Sequence, residues 1–398
     1  MYKPDVLWEI THKCNAKCIH CISDAGGDRH QELSTEEALD LCDQLAEFAN
    51  RIHLLGGEVF LRSDWKKIVE RIHSHGIPFS IVTNGLALKE ETINFLKEME
   101  IYNLGLSLDG GKAETHDHIR GVPGIYQRNL DLMEKLAEEE VSFSVISTFN
   151  KLNILEAKLL LGTMMNSPNQ SWQVQIASAH GRMSRDISLD AFEYYVLGLF
   201  LSIAKMRIPD EVLTIVAGHD LGHYSGTIPN FSAQPDWDGC HAGKYTFGIC
   251  SNGDIHGCLC MMSAEEFVLG NVRNKPLREY WEAVNFCPWN FGKIKALTGY
   301  CAECCYSTKC LAGCSDTAHA LTGSIGENPL CYHRIEGEWM HRVPQDDQEW
   351  ILRELTTGRV DERGNIYLGS GGLLTTSLIS QLSLEPARQE LLKLIACV

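Results

Sequence analysis

The sequence predicts an α/β protein built from six β/α units, followed by a small cysteine-rich domain and a C-terminal extension. Three observations carry this expectation. Short apolar, β-branched runs alternate with amphipathic stretches from residue 5 to about residue 205; the sixteen cysteines fall mainly into a front and a rear group; and the chain after residue 335 holds only one of them. With 398 residues, 44% of them hydrophobic, the chain can bury one large core and a smaller appendage.

The candidate strands are Asp5 to Thr11, Arg51 to Leu55, Phe79 to Thr83, Leu104 to Leu108, Val141 to Phe149 and Trp172 to Ala177, with helices between them. Ser34, three residues before Glu37, reads as a capping box opening a helix whose Leu41, Leu45 and Phe48 share a face. Parallel strands bring their carboxyl ends, and the loops after them, to one side of a sheet or barrel. Residues 206 to 239, rich in proline and glycine, read as a linker or lid. The expected domains are 1–235, 236–335 and an extension at 336–398, with helical stretches at Gln348 to Leu355 and Pro386 to Ala396.

A formal charge of −17, from 35 basic and 52 acidic residues, argues against nucleic acid or an anionic membrane as a partner. No secretion signal and no membrane-spanning apolar run is legible, so the expected compartment is the cytosol. Reducing compartments keep thiols free, and metal then explains the cysteines better than disulfides do.

After the first predicted strand, THKCNAKCIHC sets Cys14, Cys18 and Cys21 in a three-then-two spacing. Three thiolates hold three irons of a [4Fe-4S] cube, and the missing fourth ligand leaves one iron open to a small molecule. A zinc knuckle is the alternative for three cysteines alone. The spacing C-x3-C-x2-C, with the aromatic His20 before the last cysteine, is similar to the signature of the radical S-adenosylmethionine (SAM) superfamily. That resemblance implies a partial (β/α)6 TIM-like barrel, a SAM molecule chelated by the open iron, and its cleavage to a 5′-deoxyadenosyl radical. LLGGEVF resembles the family's GGE motif and implies that Gly56, Gly57 and Glu58 hold the SAM amine, although Val59 stands where the family usually has proline. Thr83 and Asn84 in TNG, and Ser107 and Asp109 in SLDG, resemble the ribose-side motifs. Arg120 in HDHIRG is assigned by resemblance to the methionine carboxylate, a group that guanidinium grips in bidentate fashion. AHGRM offers His180 and Arg182 as a looser match near the sixth strand.

From Cys240 the pattern is C-x12-G-x4-C to Cys258, then C-x2-C-x5-C-x3-C at Cys301, Cys304, Cys310 and Cys314, and finally Cys331. This order resembles the SPASM domain, which houses two auxiliary iron–sulfur clusters. The family's topology implies Cys301, Cys304, Cys310 and Cys331 for the distal cluster, and Cys240, Cys258 and Cys314 for the proximal one. The proximal set is one ligand short: either Cys250 completes it or an iron stays open. Paired zinc sites are the structural alternative. Of the other thiols, Cys42 reads as buried core, while Cys260, Cys287, Cys305 and Cys397 include candidates for a hydrogen-atom donor.

Over residues 5 to 335 the layout resembles maturases of ribosomally made peptides, in particular mycofactocin-type enzymes and tyramine-excising spliceases. The resemblance implies a precursor peptide as substrate, hydrogen-atom abstraction from a core residue, and backbone or tyrosine chemistry such as decarboxylation or tyramine excision. It also implies a separate leader-peptide recognition protein and an electron donor of the flavodoxin or ferredoxin class. Three other readings stay open: biosynthesis of a haem- or quinone-type cofactor, sulfatase maturation, and a non-catalytic iron–sulfur electron carrier. The last would have no need of GGE or Arg120. No residue is assigned a catalytic role from the sequence.

Overall fold

Seven short apolar segments form parallel strands that follow one another across a single sheet: β1 (Asp5–Glu9), β2 (Arg51–Leu55), β3 (Phe79–Thr83), β4 (Asn103–Ser107), β5 (Phe143–Phe149), β6 (Ser171–Ile176) and β7 (Thr214–Ala217). The computed structural model describes residues 3–27, 31–168, 171–218, 221, 224–225 and 237–340, and the two-residue strands at 359–360 and 366–367. Central strands such as β3 and β5 are buried on both faces, which is why they read as apolar runs rather than alternations. Each strand is followed by a crossover that adds the next strand on the same side, so the sheet curls as a partial barrel.

Helices α1 (Thr35–Ala46), α2 (Trp65–Ser74), α3 (Glu90–Glu98), α4 (Ala113–Arg120), α5 (Ile125–Glu138), α6 (Ala157–Met165) and α7 (Ala191–Arg207) accompany these strands. The α1 start is a full capping box: Ser34 Oγ accepts from the Glu37 N–H, and the Glu37 carboxylate accepts from the Ser34 N–H. Helix α1 then buries Ala38, Leu41, Cys42 and Leu45, so Cys42 is core. Helix α7 is apolar around most of its girth and lies buried along nearly its whole length. One side receives Tyr332, whose ring stacks on Tyr194 at 4.6 Å. A Cβ on Gly198 would sit 2.3 Å from the Tyr332 hydroxyl, so a glycine is needed there.

The rear segment is not a separate lobe joined only by a linker. β8 (Thr246–Ile249) pairs in parallel with β1, and β9 (Asp254–His256) and β10 (Val268–Asn271) extend the sheet antiparallel beyond it. The result is one ten-stranded sheet in the order β10-β9-β8-β1-β2-β3-β4-β5-β6-β7. The stretch expected to be a linker or lid holds β7, whose TIVA follows Val212 and Leu213 in a short apolar run that the proline- and glycine-rich surroundings obscured. Most of residues 219–236 and the helical stretches expected at Gln348 to Leu355 and Pro386 to Ala396 lie outside the described residues. A two-stranded ribbon, Arg359–Val360 with Ile366–Tyr367, lies against α7. Among the described residues no helix is long and apolar enough to cross a membrane.

Candidate active site

After β1 the chain crosses directly over the end of β2. The Gly57 N–H donates to the Thr11 carbonyl at 2.8 Å and the Glu58 N–H to the Lys13 carbonyl at 2.8 Å. A Cβ on Gly57 would lie 2.3 Å from the Lys13 carbonyl oxygen and 2.8 Å from Cys14 Cβ. The absent side chain is what lets the cysteine loop rest on this strand end. Further along, Lys17 N–H donates to Arg120 O at 3.1 Å and Ile19 N–H to Ile119 O at 2.9 Å, so the end of α4 holds the loop from a second side. Arg182 holds it from a third: Nε donates to Cys18 O at 3.0 Å, and Nη1 to Ala25 O at 2.6 Å and to Asp24 at 2.7 Å.

Cys14, Cys18 and Cys21 line a cavity of about 580 Å³ at the carboxyl ends of the strands. Of the residues expected to touch SAM, Gly56, Gly57, Thr83, Asn84, Ser107, Arg120 and His20 line the same cavity. Glu58 and Asp109 lie beneath it, both fully buried. Glu58 accepts from the Thr83 hydroxyl and from the Asn84 N–H, each at 2.9 Å, and burial pushes its carboxyl up to about 7 despite those bonds. Asp109 pairs with Arg120 Nε at 2.7 Å and accepts from the Thr148 N–H at 2.9 Å. Burial favours its neutral form, but the Arg120 charge, with His20 and His116, holds it below the ordinary carboxylate value. Burial works against the Arg120 charge too, and Asp109 and Cys18 more than offset it. Its Nη1 lies 3.8 Å from Cys18 Sγ, and Asn84 Nδ2 lies 3.8 Å from Cys14 Sγ. His20 is lowered to about 4, chiefly by burial, so it meets Asp109 as a neutral ring. Donors and one fixed cation thus face the thiols, an arrangement that stabilises thiolate ligands.

Two buried asparagines that the sequence reading passed over tie the loops together. Asn129 Nδ2 donates to the carbonyls of Asn84 at 3.1 Å and Ser107 at 2.9 Å, joining the ends of β3 and β4. Asn153 Nδ2 donates to Asp109 O at 2.7 Å and Thr148 O at 2.9 Å. An asparagine on the buried face of an otherwise amphipathic helix, as Asn129 is in α5, was the available signal. The cavity's far wall carries Thr148, Gln173 and Gln175: Gln175 Nε2 donates to Thr148 Oγ1 at 3.0 Å, and Gln173 Nε2 to Gln175 Oε1 at 3.3 Å. The rear segment contributes His241, Tyr245, Cys260 and Asp316. His180 faces Asp316 at 3.2 Å.

Cys301, Cys304, Cys310 and Cys331 line one cavity together with Tyr300, Tyr306 and Leu330. Burial pushes Cys310 up to about 12 and Cys331 up to about 11; Cys310 also feels Cys331 and Cys301, and Cys331 feels Cys301 and Cys304. Cys240, Cys258 and Cys314 are the thiols expected for the other set. Cys260 neighbours Cys258 and Cys314, and Cys287 neighbours Cys240 and Cys258. Cys250, one of the two ways in which the sequence left the proximal set to be completed, sits on the β8–β9 turn, where its N–H donates to Asp254 O and its carbonyl accepts from Gly253. Among the described residues no group of three or more His, Cys, Asp or Glu closes on a single metal ion. Four thiols around a shared, largely apolar hollow fit an iron–sulfur cube better than zinc, which draws its ligands to one centre.

Residues 8–160 match the Radical SAM superfamily, and residues 240–305 match SPASM, an iron–sulfur cluster-binding domain. The AdoMet-dependent heme synthase of Methanosarcina barkeri is 28% identical over 345 residues, spanning 83% of this chain and 96% of that protein. The mycofactocin maturase MftC of Mycolicibacterium smegmatis is 26% identical over 341 residues, spanning 83% of this chain and 82% of that protein. In fold, the chain is similar to Streptococcus suis SuiB bound to its precursor peptide SuiA, with a TM-score of 0.66 and 17% identity over 82% of this chain and 75% of that one.

Proposed function

We propose, from the premise that this chain is a radical SAM enzyme carrying a SPASM iron–sulfur domain, that it modifies a ribosomally made precursor peptide. Cys14, Cys18 and Cys21 would hold three irons of the front cluster. Gly56, Gly57, Asn84, Ser107 and Arg120 would form the wall against which SAM lies. With one electron from an external reductant, the bound cluster and SAM would supply a 5′-deoxyadenosyl radical and methionine, the chemistry needed to take a hydrogen atom from a core residue of the peptide. Cys301, Cys304, Cys310 and Cys331 would hold the distal auxiliary cluster. Cys240, Cys258 and Cys314 would hold the proximal one, with Cys260 and Cys287 beside them as candidates, in addition to Cys250, to complete it.

The polar inventory of the cavity carries the choice of substrate. Its described wall carries neutral amides and hydroxyls at Gln173, Gln175, Thr148 and Ser178; these bond one another or Asp316, and their remaining donor and acceptor capacity suits a peptide backbone. Its guanidinium groups, Arg120 and Arg182, are committed to Asp109 and to the cysteine loop, while Asp5, Glu9 and Asp316 add negative charge. A substrate bearing several carboxylates would meet no uncommitted guanidinium or ammonium group among these residues. The similarity to the AdoMet-dependent heme synthase favours a second reading, a porphyrin substrate. Anaerobic turnover with SAM and reductant separates the two, using a synthetic copy of a short peptide encoded beside the gene in one arm and a carboxylated iron porphyrin in the other. A SAM-dependent mass change in the peptide, with the porphyrin untouched, supports the proposal; the reverse outcome transfers the chain to the second reading.

A further inference from the structure

Lys293 has no exposed surface and sits on the one-turn helix Lys293–Ala296 in the rear segment. Its Nζ donates to the Gly313 carbonyl at 3.0 Å and to Ser315 Oγ at 2.8 Å, two neutral acceptors on either side of Cys314. No carboxylate lies within ion-pairing distance of it among the described residues. Burial works against its charge, and thiols of both rear sets lie near enough to oppose that effect: Cys240 and Cys314 from one, Cys310 and Cys301 from the other. An ammonium taken out of water needs a counter-charge, and removing that charge is strongly unfavourable. Thiolate-ligated iron–sulfur clusters are anionic, and their potentials respond to nearby charge and hydrogen bonds.

We propose that Lys293 is the shared counter-charge of the two auxiliary clusters, a positioning residue whose fixed ammonium raises both reduction potentials and makes the clusters better electron acceptors. Added negative charge on either cluster is stabilised by the cation between them. The inference rests on the ligand assignment proposed above.

The test is Lys293→Met, which keeps length and removes charge, beside Lys293→Arg, which keeps charge, each prepared anaerobically with iron and sulfide quantified. Redox titration followed by electron paramagnetic resonance reads the potentials. Expected are wild-type iron content, auxiliary potentials shifted negative in Lys293→Met and restored toward wild type in Lys293→Arg, and a front-cluster potential unmoved in both. Loss of rear-cluster iron in Lys293→Met but not in Lys293→Arg also supports the role, because charge is what separates the two variants. Unshifted auxiliary potentials with full iron, or equal loss in both variants, overturns it. Wild-type protein that binds only the front cluster's iron overturns the ligand assignment instead, and the counter-charge with it.

Discussion

Glu58 Oε1 accepts from the Thr83 hydroxyl and Oε2 from the Asn84 N–H, with the Phe60 N–H a further donor to the carboxylate. Glu58→Gln must turn an NH2 group toward one of them, which loses a bond and leaves a buried donor facing a donor, at a cost of about 1–3 kcal/mol. Because Asn84 lines the cavity beside Cys14, the expected result is SAM binding weaker by about tenfold with unchanged iron content, read by isothermal titration; unchanged affinity would detach this carboxylate from the cofactor site. The motif GGE was legible in the residues, but the direction of its carboxylate was not, because that depends on β3 arriving beside it. His116 yields a pH prediction. Its Nδ1 accepts from the Asp109 N–H at 2.9 Å, and burial lowers it to about 4. An unfolded histidine titrates near 6.5, so between about 6.5 and 4 the unfolded chain binds more protons and stability falls as pH falls. His20 adds in the same direction. Urea midpoints should therefore drop from pH 7 to pH 5, and His116→Gln, which removes one such group, should show the shallower drop.

At the scale of elements, the strand-end loops were legible because each motif follows an apolar run. Observed β2 and β3 have the expected bounds, and β4, β5 and β6 differ from expectation by at most two residues at either end. β7 escaped because four residues beside a proline- and glycine-rich stretch carry too little periodicity. The contact of the cysteine loop with the β2 end is the element-level feature most exposed to mutation. In Gly57→Ala the new methyl meets the Lys13 carbonyl at 2.3 Å, and backbone cannot yield as a flexible side chain would. The front cluster should assemble poorly while rear iron is retained. Iron counts and absorbance spectra check this, and full front-cluster loading would show that the loop relaxes away from the strand.

In the whole molecule, front and rear thiols come from segments more than 200 residues apart, yet β8 beside β1 places both around one sheet. Since no described front cysteine shares a rear set, Cys14→Ala/Cys18→Ala/Cys21→Ala should abolish 5′-deoxyadenosine formation and leave the rear clusters largely assembled. Chromatography and iron analysis test it, and persistent SAM cleavage would refute the front-site assignment. The sequence alone carried the three-thiol loop and, through the resemblance of its motifs to a known family, the enzyme class, because motif spacing within a loop and apolar periodicity within a strand are local properties. Tertiary structure alone decided that Glu58 and Asp109 turn inward, that Cys260 and Cys287 stand near members of the proximal thiol set, and that Lys293 is buried close to thiols of both rear sets. Those arrangements arise where distant segments pack together, and local spacing carries no record of which neighbour a side chain will meet.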